Sequence, residues 1–180
     1  MGFQIVRKDS IALIGFMATG KSAVGKALKE QLGKNYNFIE TDFLIVKMAG
    51  KSIPKIFSED GEALFREYEL KACKKAAQLT KSVISCGGGV VLNKENIETL
   101  KQTCHIVLLT ATPEIIYRRA MGEGKENRPI INKEEPFKEI EKLLRYREPY
   151  YKSSAEIIID TSEKSVDRIV KEILTQIKLL

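Results

Sequence analysis

Cysteine is scarce and odd in number, with Cys73, Cys86 and Cys104 the only three among 180 residues. None of them forms a C-x-x-C pair, so neither a disulfide framework nor a zinc site is indicated, and the usage fits a reducing cytoplasm. Histidine is scarcer still. His105, the single one, opens an apolar run with no second histidine or carboxylate at ligand spacing, and it reads as structural. No stretch approaches the roughly 18 apolar residues of a membrane span, and the first ten positions lack the apolar core of a signal peptide. The expectation is a soluble, unprocessed, cytoplasmic protein with no membrane partner. Internal repeats and low-complexity linkers are also missing. The net charge of +6 would suit a polyanion, but its cations are scattered among 24 acidic residues without a long basic block. Small anionic molecules therefore fit better than nucleic acid. At this length residues 1–180 are expected to form one domain, since single domains cluster at about 100–200 residues, acting as a monomer.

What the chain does contain is Gly15-Phe16-Met17-Ala18-Thr19-Gly20-Lys21-Ser22, directly after the apolar run Ile11-Ala12-Leu13-Ile14. This is G-x-x-x-x-G-K-[ST] in a strand–loop–helix setting. Such a loop aims consecutive backbone N–H groups, and the positive end of the following helix dipole, at one point, where phosphate oxygens are the natural occupants. Lys21 then reaches the β and γ oxygens, and the Ser22 hydroxyl enters the shell of a Mg²⁺ that keeps most of its waters. Elsewhere, short apolar runs at 10–15, 37–40, 82–86, 105–109 and 157–160 alternate with amphipathic helical patterns. Those patterns fall at 21–32, 62–79, 93–101, 113–121, 136–146 and 166–179. Strands separated by helices require right-handed crossovers, which gives an α/β fold with a parallel sheet covered on both faces, three layers in all. Gly33 suits a helix C-terminal cap and Thr112 an N-cap before Pro113. The polar, glycine-punctuated segment Gly122-Glu123-Gly124-Lys125-Glu126-Asn127-Arg128-Pro129 is a candidate mobile lid.

Ligands of open parallel sheets bind beyond the carboxyl ends of the strands. Glu40 and Asp42 at the end of the second strand can divide labour beside Mg-ATP, one on the metal's waters and one on the acceptor hydroxyl. Asp42 could equally be a helix N-cap. Gly87-Gly88-Gly89 ends the third strand and would let a ligand touch backbone, or it is simply a loose turn. Arg66 and Arg147, the latter placed at a helix end, would fork an acceptor carboxylate if both face the cleft; taken singly, each also reads as a solvated surface arginine. Arg119 and Arg128 could bring positive charge to the transferring group or stack on adenine.

In their order and spacing these motifs, with Asp60-Gly61-Glu62 through Phe65-Arg66 and Arg147-Glu148-Pro149-Tyr150-Tyr151, resemble the shikimate kinase family over nearly the whole chain. The resemblance implies the nucleoside-monophosphate-kinase-like P-loop fold, with five parallel strands in the order 2-3-1-4-5 and a lid. It also implies ATP-dependent phosphorylation of the shikimate 3-hydroxyl, in aromatic amino acid biosynthesis. ATP falls to the loop residues Ala18, Thr19, Gly20, Lys21, Ser22 and Ala23, with Arg128 at the phosphates and Arg119 and Lys164 at the adenine. Shikimate falls to Asp42 as candidate base, Arg66 and Arg147 as carboxylate clamp, the backbone of Gly87, Gly88 and Gly89, and the apolar wall of Phe57 and Phe65. Mg²⁺ falls to Ser22, and to Glu40 through water. The acceptor region spans about 42–70 and the lid about 121–132.

Two departures from the family pattern stand out. Glu40 occupies an aspartate position, and Ala18-Thr19 replaces a glycine and a small residue, so that a Cβ restricts the turn. Neither removes a donor or a charge, and activity is expected to persist with altered Mg²⁺ or ATP affinity. The alternatives are a related kinase with a gluconate or nucleotide acceptor, and a nucleotide-binding module without transfer chemistry.

Overall fold

The computed structural model describes residues 8–122 and 134–178. Five strands, β1 (Ser10–Ile14), β2 (Asn37–Glu40), β3 (Ser82–Ser85), β4 (Cys104–Thr110) and β5 (Ile157–Asp160), form one parallel sheet in the order β2-β3-β1-β4-β5. The order and every strand agree with the sequence pattern to within a residue or so at each end. The register brings Ile14 beside Leu108, Leu13 and Glu40 beside Ser85, and Thr110 beside Asp160. Strand ends therefore meet at one edge, where the loops that follow must converge.

Side-chain alternation along β1 divides the core between two faces. Ile11 and Leu13 point into a cluster with Val24 and Leu28 of α1 (Lys21–Leu32) and Ile169, Val170 and Ile173 of α8 (Val166–Ile177). Ala12 and Ile14 point the other way, toward α4 (Gly61–Ala77), α5 (Lys94–Lys101), α6 (Pro113–Gly122) and α7 (Pro136–Ser154), whose Cys73, Ile97, Leu100, Ile116, Ile140 and Tyr151 are all buried. The edge strand β5 buries only Ile157 and Ile159 and leaves Ile158 half exposed. All three thiols are free and buried. Burial raises the proton affinity of each, Cys104 to about 11.

The expected caps are present. The Gly33 N–H bonds the Lys29 carbonyl at a φ of 96°, and the Ile115 N–H reaches Thr112 Oγ1 at 3.4 Å. Two stretches of the chain depart from the sequence reading. Between β2 and α4 the chain forms α2 (Thr41–Ala49), a short α3 (Ile53–Lys55) and a π-turn (Ile56–Asp60), none of which the periodicity marks. Phe43, Leu44, Ile45, Val46 and Met48 make α2 apolar almost all round, yet only Thr41 and Ile45 are buried, so no clean helical stripe exists to read.

The second departure is α7, which continues to Ser154 although its sequence pattern stops at 146. Pro149 lies inside it, where it removes one backbone donor and crowds the carbonyl four residues back. Tertiary anchoring outweighs that local cost, since Tyr151 is 2% exposed and donates its hydroxyl to the Gly88 carbonyl at 2.5 Å. Arg147 consequently sits within a helix rather than at its end. Pro149→Ala is expected to stabilise the protein by about 1–3 kcal/mol, because it restores a helical donor at an exposed position; an unchanged or lower thermal midpoint in calorimetry would contradict this.

Candidate functional site

The converging loops enclose a cleft of about 630 Å³, within the range of small-ligand sites. It is lined by Ala18, Gly20, Lys21, Ser22 and Ala23 of the phosphate loop, by Glu40 and Asp42, and by Phe57, Phe65, Arg66, Gly87, Gly88, Gly89 and Arg147. Most of the sequence-predicted site residues thus share one cavity. Thr19 lies behind it, 1% exposed, its hydroxyl donating to the Phe16 carbonyl at 2.8 Å. Arg128 falls outside the described residues, as does most of the predicted lid.

The phosphate loop closes on itself. Lys21 Nζ donates to the carbonyls of Gly15 at 2.9 Å and Phe16 at 2.8 Å, which holds the ammonium over the loop. Ala18 adopts a φ of 57°. That is the left-handed region, costly for a residue with a Cβ, so the restriction expected of alanine here is real. The Ser22 hydroxyl donates to Glu40 Oε1 at 2.5 Å, so the glutamate reaches the loop despite standing at an aspartate position. This hydroxyl–carboxylate pair offers the hard oxygen donors that Mg²⁺ takes beside phosphate. Among the described residues no group of three or more His, Cys, Asp or Glu could hold a metal ion.

Asp42 is not an N-cap. Glu40 occupies that position, and Asp42 lies in the first turn of α2, where the helix dipole favours a carboxylate. The residue is exposed to the cleft, with its Oδ1 close against the glycine loop, where a Cβ on Gly87 would lie 2.7 Å away. Burial raises its proton affinity; Lys21 pulls it back down and Glu40 pushes it up. The Thr41 hydroxyl accepts the Gly87 N–H at 2.9 Å, tying the start of α2 to the glycine loop.

That loop is not a loose turn. A Cβ on Gly89 would stand 2.6 Å from Arg66 Nη1, so only glycine lets the guanidinium lie against the chain. Arg66 is not a solvated surface arginine either. It donates Nη1 to Glu69 at 2.9 Å and Nε and Nη2 to Glu62 at 3.2 and 2.9 Å. Arg147 Nη1 donates to the Gly88 carbonyl at 3.3 Å, its guanidinium stands 5.7 Å from the Phe16 ring centre, and its buried Nε has no hydrogen-bond partner among the described residues. Phe57 and Phe65 stack with centroids 4.5 Å apart.

Sequence reasoning missed Glu69, which lines the cleft while 1% exposed. Burial raises its proton affinity, against the pull of Arg66. The signal was available, since Arg66 and Glu69 are three apart on one helix and so share a face. Arg119 and Lys164 do not line the cleft. Arg119 bonds Thr161 and, at 3.4 Å, the Ala18 carbonyl, while Lys164 is paired with Glu172 at 2.6 Å. His105, read as structural, bonds Glu156 at 3.3 Å at the opposite end of β4.

A family model described as shikimate kinase matches residues 17–178. The chain belongs to the shikimate kinase family. It is 44% identical over 165 residues to the curated shikimate kinase of Caldanaerobacter subterraneus subsp. tengcongensis, covering 92% of this chain and 94% of that protein. The shikimate kinase of Pelotomaculum thermopropionicum is 42% identical, covering 94% and 95%. Among solved structures, shikimate kinase from Acinetobacter baumannii in complex with shikimate aligns at a TM-score of 0.87 and 31% identity, over 96% of this chain and 94% of that one. Shikimate kinase from Aquifex aeolicus aligns at 0.80 and 36%, over 94% and 96%. The chain is accordingly an enzyme, an ATP-using kinase with the P-loop fold of its family.

Because the folded pKa of Asp42 is raised, its contribution to stability is present below the ordinary value of 3.8 and is lost as pH rises through the folded value. Asp42→Asn should therefore raise the thermal midpoint of the ligand-free protein at neutral pH while removing turnover, with the gap closing in acid. A midpoint below wild type at neutral pH would show that the charge stabilises the fold.

Proposed function

We propose that this one cleft carries the family reaction in this chain, transferring the ATP γ-phosphoryl group to the 3-hydroxyl of shikimate to give shikimate 3-phosphate and ADP. The observation that carries the reading is the convergence of these functions on one cleft. The same cleft gathers a phosphate loop with its lysine, two arginines beside a side-chain-free glycine loop, and a carboxylate.

The donor end comprises the backbone of Ala18 to Ala23, with Lys21 on the β and γ oxygens and Arg119 and Lys164 toward the adenine. Arg128 is assigned to the phosphates by its place in the motif alone. Ser22 would hold Mg²⁺ and Glu40 would hold it through water. When bound, the cation offsets charge on the transferring group. Asp42 holds the acceptor hydroxyl and accepts its proton, a role that suits a carboxylate of raised proton affinity. Arg66 and Arg147 clamp the shikimate carboxylate; the exposed Glu62 yields its place on Arg66, while the buried Glu69 keeps the guanidinium aimed. Phe57 and Phe65 form the apolar wall beside the ring, and Gly87, Gly88 and Gly89 give it backbone to rest on. A loose transition state needs positioning and charge neutralisation more than a strong base, and the cleft supplies both. Three free thiols support a cytoplasmic setting.

ADP release from Mg-ATP, measured with shikimate, quinate, gluconate or no acceptor, tests the reading. Turnover dependent on shikimate alone is expected; turnover with gluconate, or nucleotide binding with no acceptor-dependent turnover, would overturn it. Arg66→Ala and Arg147→Ala should each raise the KM for shikimate about 10–100-fold, the value of a charged hydrogen-bond pair, with ATP binding nearly unchanged. A wild-type KM for shikimate in either variant would remove that arginine from the clamp.

A further inference from the structure

Thr161, the first residue after β5, is 1% exposed and sits where three segments of the nucleotide side meet. Its Oγ1 lies 3.0 Å from the Thr19 carbonyl in the phosphate loop, 2.9 Å from the Thr110 carbonyl at the end of β4, and 3.1 Å from Arg119 Nη1 of α6. Its own carbonyl accepts Arg119 Nη2 at 2.7 Å, and its N–H donates to Thr110 at 2.8 Å. A hydroxyl has one proton to give and lone pairs to accept with. Arg119 can only donate, so it occupies a lone pair, and the proton is left for a carbonyl. The Thr110 carbonyl already receives the Thr161 N–H, whereas the Thr19 carbonyl belongs to the loop that must hold phosphates.

We propose that Thr161 is a positioning residue for the nucleotide, its hydroxyl joining the Thr19 carbonyl to Arg119 so that the phosphate loop and the arginine on the adenine side move as one unit. The inference rests on the kinase reading of the cleft. Arg119 also reaches the carbonyl of Ala18, whose positive φ is the strained point of the loop, so the same unit holds Ala18 in place. Among the described residues, none of the hydrogen bonds of Thr161 or Arg119 goes to Arg66, Gly88 or Arg147. Loss of this arrangement should therefore be felt by ATP and ADP and not by the acceptor.

Thr161→Val keeps the branched shape and deletes the hydroxyl, and Thr161→Ser keeps the hydroxyl. Calorimetric titration with Mg-ADP, together with kcat and both KM values, is expected to show Kd for ADP and KM for ATP raised about tenfold in the valine variant, the factor that 1.4 kcal/mol represents. The KM for shikimate should change by less than about twofold, and the serine variant should return to within about threefold of wild type. A merely structural role would lower the folded fraction, and so the apparent kcat, while leaving Kd and both KM values unchanged; that result overturns the proposal. If the valine variant does not fold, the same titrations on Thr161→Ala decide, and failure of both to fold would make the role structural and sink the idea. The ADP titration uses no acceptor. Wild-type protein that binds Mg-ADP without phosphorylating shikimate would therefore overturn the acceptor assignment and leave this test standing, whereas wild type that does not bind Mg-ADP would overturn both.

Discussion

The backbone of Gly87, Gly88 and Gly89 is the constraint on which the acceptor half of the molecule depends. Three helices reach it with different chemistry: Thr41 of α2 accepts the Gly87 N–H, Tyr151 and Arg147 of α7 donate to the Gly88 carbonyl, and Arg66 of α4 lies where a Gly89 side chain would be. Backbone polar groups out of reach of water must be paired, and here the pairing is done by the side chains that define the site. The loop is therefore both floor and template. Moving it would shift Asp42, Arg66 and Arg147 together, which keeps three charged groups of two signs in register without a direct bond between the arginines.

The donor half is organised on the other principle available at a sheet edge, in which one polar side chain satisfies several carbonyls. Strand register sets β4 and β5 to end side by side, and the loop beyond β5 folds back over the phosphate loop. The two halves meet at Phe16, which is 1% exposed, belongs to the phosphate loop and faces the Arg147 guanidinium.

Much of this was legible in the sequence, and the reasons differ by element. The strands were plain because four of the five are short runs buried on at least one face, β2 being only partly buried, and the phosphate loop because its chemistry demands fixed residue types at fixed spacing. Helix α2 was hidden because it is apolar without being buried, so hydrophobicity carried no period. The continuation of α7 was hidden because a local rule about proline gave way to the burial of Tyr151, a contact with a loop 63 residues away. Asp42 stood between two readings until the helix was seen to start before it. Glu69 was overlooked as one acidic residue on a charged helix; its burial, not its identity, sets it apart. The roles of Thr161 and Thr41 lay beyond sequence reading, since hydroxyls that bind distant carbonyls or N–H groups leave no spacing to detect.

The three buried thiols carry a consequence for how this molecule ages and can be watched. Only a thiolate attacks an electrophile, and burial here both hides the sulfur and discourages its ionisation. An alkylating reagent must therefore wait for the fold to open, and its rate of incorporation becomes a clock for opening. The clock reads a different region at each sulfur: Cys104 the sheet, Cys73 the inner face of α4, and Cys86 the strand end that leads into Gly87. A ligand that settles on the glycine loop would slow the third clock first.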